Sequence, residues 1–159
     1  MILFGVAALL FAGLIGNYIF SFVPESGAAA TQTVTAAGDE IRIPLAGLAD
    51  GQAKFFRYSA GDQEVRFFAM MGSDGVYRTA LDACEICYSA KRGYRQRGDE
   101  MVCRKCDQSF PSALINEVTG GCHPIGLPRT MDGEDLVLQA SQIQAIDQQY
   151  AAQAVATGS

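Results

Sequence analysis

The sequence predicts a small, mainly β domain (α+β) with a zinc-ribbon or rubredoxin-like cysteine hairpin, preceded by one N-terminal transmembrane helix. Three observations carry this expectation. Short apolar-alternating runs separated by glycine turns fill residues 41–103, two Cys-x-x-Cys pairs sit within that stretch, and an uncharged apolar run opens the chain.

Residues 2–23 contain no charged side chain, and Asn17 and Ser21 are the clearly polar interruptions. That length matches the ~20 residues that cross about 30 Å of hydrocarbon. Ser26-Gly27-Ala28-Ala29-Ala30 would suit a signal peptidase, but the run exceeds a signal core of ~7–15 residues and no Lys or Arg precedes it. A retained anchor over 1–23 is therefore expected. Residues 24–40, rich in Ala, Gly, Ser and Thr, read as a linker, and residues 41–159 as the metal-binding domain. The first basic residue, Arg42, comes too late to set an orientation by Lys/Arg asymmetry, and the α-amino group before the span with Glu25 after it favours a domain outside the cytoplasm. The expected location is the inner membrane, single-pass, with the domain periplasmic.

Within the domain, Ile41, Ile43 and Leu45 alternate before an Asp50-Gly51 turn, and Phe55 and Tyr58 mark a second extended segment. Residues 65–71 and 76–81 flank the turn Gly72-Ser73-Asp74-Gly75, a hairpin that delivers the chain to Asp82-Ala83-Cys84. Residues 94–97 and 101–103 form a second hairpin around Gly98-Asp99. Phe110-Pro111 and residues 120–124 read as irregular chain. A strand at 136–138 precedes a helix over 142–154, capped by Ser141, with Ile143, Ile146 and Tyr150 near one face.

Cys84/Cys87 and Cys103/Cys106, with residues 88–102 between them, have the spacing by which two tight turns grip one ion through four thiolates. The same thiolates suit zinc, mononuclear iron or an iron-sulfur cluster. Redox-active dithiols are a further alternative, although a thioredoxin-type pair should open a helix within a βαβ unit. Cys122, beside two glycines that allow close backbone approach, is a candidate fifth donor. His123, the single histidine, suits a structural role better than a ligand role. Asp82 is a candidate acceptor for backbone N–H groups shaping the first turn, and core packing accounts for Met70 and Met71.

The net charge of −5 argues against a nucleic-acid partner. Lys91, Arg92, Arg95, Arg97, Arg104 and Lys105 nonetheless cluster between the first and last of the four paired cysteines. Four thiolates on a divalent ion carry a local charge of −2 that these cations would offset. Neither a Ser/His/Asp set nor a phosphate-binding glycine loop is present, so hydrolytic and phosphoryl-transfer chemistry lack support.

From Arg66 onward the chain resembles the FtrD-like membrane iron-sulfur containing proteins. The resemblance rests on Arg66-Phe67-Phe68, Asp74-Gly75, Asp82-Ala83-Cys84-Glu85-Ile86-Cys87, Gly93-Tyr94-Arg95-Gln96, Gly98-Asp99, Cys103-Arg104-Lys105-Cys106, Phe110-Pro111 and Gly120-Gly121-Cys122. It implies a membrane-attached extracytoplasmic domain that binds an iron-sulfur centre and serves iron uptake through permease systems. It also implies that Cys122 belongs to the motif, while the family's usual asparagine at the position of His123 disfavours a histidine ligand. The resulting expectation is an iron (iron-sulfur) electron carrier or accessory subunit with a protein partner in a membrane iron-uptake or redox complex. A structural zinc-ribbon interaction module is the alternative, and a thiol-disulfide oxidoreductase the second.

Overall fold

The computed structural model describes residues 30–157. At its centre, Lys54–Ala60 (β3), Gln63–Met71 (β4) and Tyr77–Cys84 (β5) form an antiparallel meander. Pro124–Gly126 (β9) extends one edge of this sheet beside β5, and Gln32–Val34 (β1) the other, parallel to β3. A second sheet orders Thr130–Asp132 (β10), Asp135–Gln139 (β11) and Glu40–Pro44 (β2). The third joins Tyr94–Arg97 (β6), Glu100–Cys103 (β7) and Ser109–Pro111 (β8).

The central sheet is buried on both faces, and strand periodicity assigns the sides. Val65, Phe67 and Ala69 of β4 join Phe56, Leu81, Ile41, Leu136 and Ile143 in one core. Phe68 and Met70, on the opposite face, join Phe55, Ala80, Tyr94, Met101 and Phe110 in the other. Phe67 and Phe68 are both fully buried, each worth about 1.5–3 kcal/mol of transfer free energy. The second core contains Cys84 and Cys103, so the cysteine region is built on the apolar floor of the sheet. Met70 belongs to that floor, in keeping with its packing role.

The closing helix Ala140–Thr157 (α1) packs near β11, β4 and the one-turn 3-10 helix Tyr88–Ala90. Its start differs from expectation. Ser141 lies inside the helix, and Asp39, remote in sequence, takes the capping role. The Asp39 carboxylate accepts the Ser141 backbone N–H at 2.7 Å and its hydroxyl at 2.6 Å, while the Asp39 carbonyl accepts the Ala140 N–H. An anion at a helix N-terminus satisfies otherwise unpartnered N–H groups. The Ser141 hydroxyl, then its N–H, hold the Asp39 carboxyl below its usual value of 3.8. A depressed carboxylate stabilises the fold above its unfolded pKa, and this contribution disappears as pH falls through the lower folded value. Asp39→Ala should therefore speed amide exchange at Ser141 and Gln142 at neutral pH, with little difference from the parent protein once Asp39 is protonated in acid.

Two further expectations need correction. The 24–40 linker is not wholly separate from the domain, because residues 32–34 form β1 and Val34 packs against the first core. Phe110-Pro111 is ordered strand, pairing with Met101 and Glu100. The span expected over residues 1–23 lies outside the described residues. Among those described, no helix is long and apolar enough to cross a membrane.

Candidate metal centre

Each cysteine turn starts where a strand ends. Cys84 closes β5, and the chain then turns through Glu85 and Ile86 to Cys87, whose N–H points at Cys84 Sγ at 3.3 Å. Cys103 closes β7, and the following turn accepts the Asp107 N–H on the Cys103 carbonyl at 2.9 Å, with Asp107 at φ 57°. Nearby backbone N–H groups, those of Cys106 and Lys105 for Cys103 and that of Gln108 for Cys106, act to lower these two thiols. Donors aimed at sulfur favour thiolate over thiol.

These turns are held together by an acid-to-backbone latch. Asp82, two residues before Cys84, accepts the N–H of Tyr94 at 2.6 Å. Tyr94 pairs with Cys103 in the β6–β7 hairpin, so this bond ties one cysteine strand to the other. Arg104 reinforces the joint, its guanidinium donating to the Tyr94 carbonyl and its N–H to that of Gly93. Burial pushes the Asp82 carboxyl up to about 6, against the opposing pulls of the Tyr94 N–H, Arg66 and Arg104. Asp82 thus accepts a backbone N–H, as expected, but from a residue twelve positions away rather than from its own turn.

The Gly120–Cys122 loop brings the fifth cysteine in. The Gly121 carbonyl accepts the Ile86 N–H at 3.4 Å, and the buried Tyr94 donates its hydroxyl to the Cys122 carbonyl at 2.7 Å. Burial, followed by the neighbouring Cys84 sulfur, raises the phenol well above its ordinary range. Tyr94 is thus a positioning residue that spacing alone did not reveal; its signal was its place in the Gly93-Tyr94 motif. Tyr94→Phe should cost about 1 kcal/mol and make Cys122 react faster with iodoacetamide. Unchanged alkylation would remove Tyr94 from this role.

All five cysteines converge. The sulfurs of Cys84, Cys87 and Cys122 lie within 4.8 Å of one another, as do those of Cys87, Cys103 and Cys106. Cys106 and Cys122 are 3.6 Å apart. Cys87 is common to both groups. A tetrahedron with metal–sulfur arms of about 2.3 Å has edges of about 3.8 Å, so the donor spacing and thiol chemistry fit a thiolate-bound metal. Burial and then neighbouring sulfurs raise Cys87, burial raises Cys103, and burial pushes Cys122 up to about 11. Burial also acts upward on Cys106, but the Gln108 N–H and the neighbouring thiols outweigh it and leave that group lowered. A bound cation would reverse the cost of placing several thiolates together and would release protons on binding.

His123 is not in either sulfur group. Its Nδ1 lies 3.1 Å from the Gly120 carbonyl and its ring packs on Phe110 at 4.5 Å between centroids.

A mainly β domain with a C-terminal helix and a clustered set of cysteine thiols defines a candidate metal-binding protein. The chain belongs to the FtrD-like family of membrane iron-sulfur containing proteins, whose model matches residues 48–150. No curated protein matches its sequence. Among solved structures it is similar to the quaternary ammonium Rieske monooxygenase CntA, crystallised with an inhibitor, at a TM-score of 0.43 and 10% identity. That likeness covers 69% of this chain and 31% of the enzyme chain, so the present chain spans under a third of that enzyme's length.

Proposed function

We propose that this protein is a membrane-anchored electron carrier, or accessory subunit of an iron-transport or respiratory assembly, with an iron centre held by Cys84, Cys87, Cys103, Cys106 and Cys122. The observation that carries this reading is the convergence of five thiols around Cys87 in a chain of an iron-sulfur family. The centre takes the form of an iron-sulfur cluster or mononuclear iron, built on a rubredoxin-like arrangement of the two cysteine turns. Iron in thiolate coordination supplies one-electron exchange.

The protein's own part is to hold the donors in place and shield them. Cys84 and Cys103 are buried on the apolar floor, the Asp82–Tyr94 latch fixes their separation, and exposed Cys106 gives the centre an edge toward solvent. Placement of Cys84 and Cys103 at strand ends, rather than opening a helix in a βαβ unit, supports metal binding over thiol-disulfide exchange. The uncharged run at residues 2–23 supports a single-pass inner-membrane anchor, and Glu25 after it a periplasmic domain.

Electron paramagnetic resonance during a potentiometric titration of the anaerobically purified full chain tests the carrier role. A reversible one-electron signal that disappears with iron removal is expected. A centre that stays silent while its metal remains bound would contradict electron transfer.

A further inference from the structure

The cations of this chain are not used evenly. Arg42, Lys54, Arg57, Arg78, Arg95 and Arg97 each pair with a carboxylate. Arg66, Arg104 and Arg129 donate to backbone carbonyls, and the Lys91 ammonium sits 4.5 Å above the Tyr88 ring. Among the described residues, the side chains of Arg92 and Lys105 have no hydrogen bond, ion pair or ring contact. Both are exposed, and both line the narrow slot whose walls include Cys84, Cys87 and Cys103.

In a chain of net charge −5, the lining of this slot runs the other way, with Lys91, Arg92 and Lys105 against the single carboxyl of Asp82. Their surroundings favour contact with another macromolecule over capture of a small anion, because the slot is too narrow to enclose one. Ile86, at the tip of the first cysteine turn, is 59% exposed, a large apolar side chain of the kind that anchors an interface inside a charged rim. Glu85, its acidic neighbour, lines a different cleft with His123 and Tyr150. Arg92 and Lys105 thus line the slot that reaches Cys84, Cys87 and Cys103, and Ile86 is exposed on the turn that joins Cys84 to Cys87.

We propose that the mouth of this slot, lined by Arg92 and Lys105 and adjoined by the exposed Ile86 of the first cysteine turn, docks an acidic redox protein. The inference rests on the electron-carrier reading and names the chemistry of its partner. In the step served, one electron leaves the partner's centre and one arrives at the cysteine-held centre; no bond to hydrogen breaks and no proton moves. Complementary charge steers such encounters and raises association rates by about 10–10³-fold, an advantage lost as salt increases.

The test uses the anaerobically purified full chain in neutral detergent, with an acidic plant-type ferredoxin as probe and a basic cytochrome c as control. Binding is measured by calorimetry at low and high salt, beside metal content. The expected result is salt-sensitive ferredoxin binding that weakens about tenfold or more in the Arg92→Glu/Lys105→Glu double variant. Ile86→Ser should weaken it with little change in salt sensitivity, and cytochrome c binding should not weaken in the double variant. Equal ferredoxin affinity of the parent and the double variant would overturn the proposal. So would loss of metal from that variant, which would make the two cations internal partners of the centre. An effect confined to vesicles containing phosphatidylglycerol would assign them to the bilayer and also overturn it. Charge-dependent binding by a protein with a redox-silent centre would instead refute the carrier reading while leaving the docking face intact.

Discussion

Cys87→Ser should strip the protein of its metal more completely than loss of Cys122. Cys87 belongs to both three-sulfur groups, whereas Cys122 belongs to one of them. Removing the shared donor breaks both three-sulfur groups at once, and a serine hydroxyl is a poor replacement for a thiolate. Metal content of the anaerobically purified Cys87→Ser protein should fall below about a tenth of the parent value. Cys122→Ser should retain a measurable fraction. Because metal binding contributes folding free energy, the Cys87 variant should also melt earlier, and adding a chelator should lower the melting temperature of the parent toward that of the variant. Full metal content in Cys87→Ser, or equal losses in both variants, would show that the centre is not organised around Cys87.

Gly93→Ala is the second large effect, and it acts without touching a sulfur. Gly93 has φ +69°, and a Cβ there would lie within 2.5 Å of all three carboxyl atoms of Asp82. The left-handed backbone alone costs a non-glycine residue about 1–3 kcal/mol. Relief of the clash must displace Asp82 from the Tyr94 N–H, losing a charge-assisted bond worth about 1.5–3 kcal/mol. A combined destabilisation of about 3–5 kcal/mol is expected by urea unfolding. Asp82→Ala removes the latch without adding a Cβ at position 93, so the Gly93→Ala/Asp82→Ala double variant should show less than the sum of the two single losses. Strict additivity would mean that the glycine and the carboxylate act independently.

These two variants also mark what was legible in the sequence. The four paired cysteines were visible because Cys-x-x-Cys is a local pattern, set by the reach of one tight turn. Cys122 lies farther along the chain, and it was the flanking glycines and the family motif that pointed to it. The Asp82–Tyr94 bond was hidden because it joins two strands across the first cysteine turn. Its trace in the sequence was the acid before the cysteine pair and the glycine that makes room for it. Nothing local announced the Tyr94 hydroxyl on the Cys122 carbonyl.

The same distinction between local and distant causes explains the fold. The β4–β5 hairpin was clear because its glycine turn is local and both flanking runs are apolar. β4 does not alternate apolar with polar, since both of its faces are buried. Strands β1, β9 and β10, three residues each, are too short to show a period and gain their order from neighbours. Asp39 caps α1 across nearly the whole domain, whereas Ser141 looked suitable from its position alone. Residues 32–34 were read as linker because their composition offers little to bury, and β1 indeed uses mainly main-chain pairing with β3.

The central claim is that the clustered thiols hold iron. Anaerobic purification of the full chain, followed by iron, zinc and acid-labile sulfide analysis with a visible absorption spectrum, tests it most directly. The account predicts stoichiometric iron with thiolate-to-iron absorption bands, both lost in Cys87→Ser; sulfide in proportion to iron would identify a cluster, and its absence mononuclear iron. Stoichiometric zinc without visible bands, or a metal-free protein with freely titratable thiols, would contradict it.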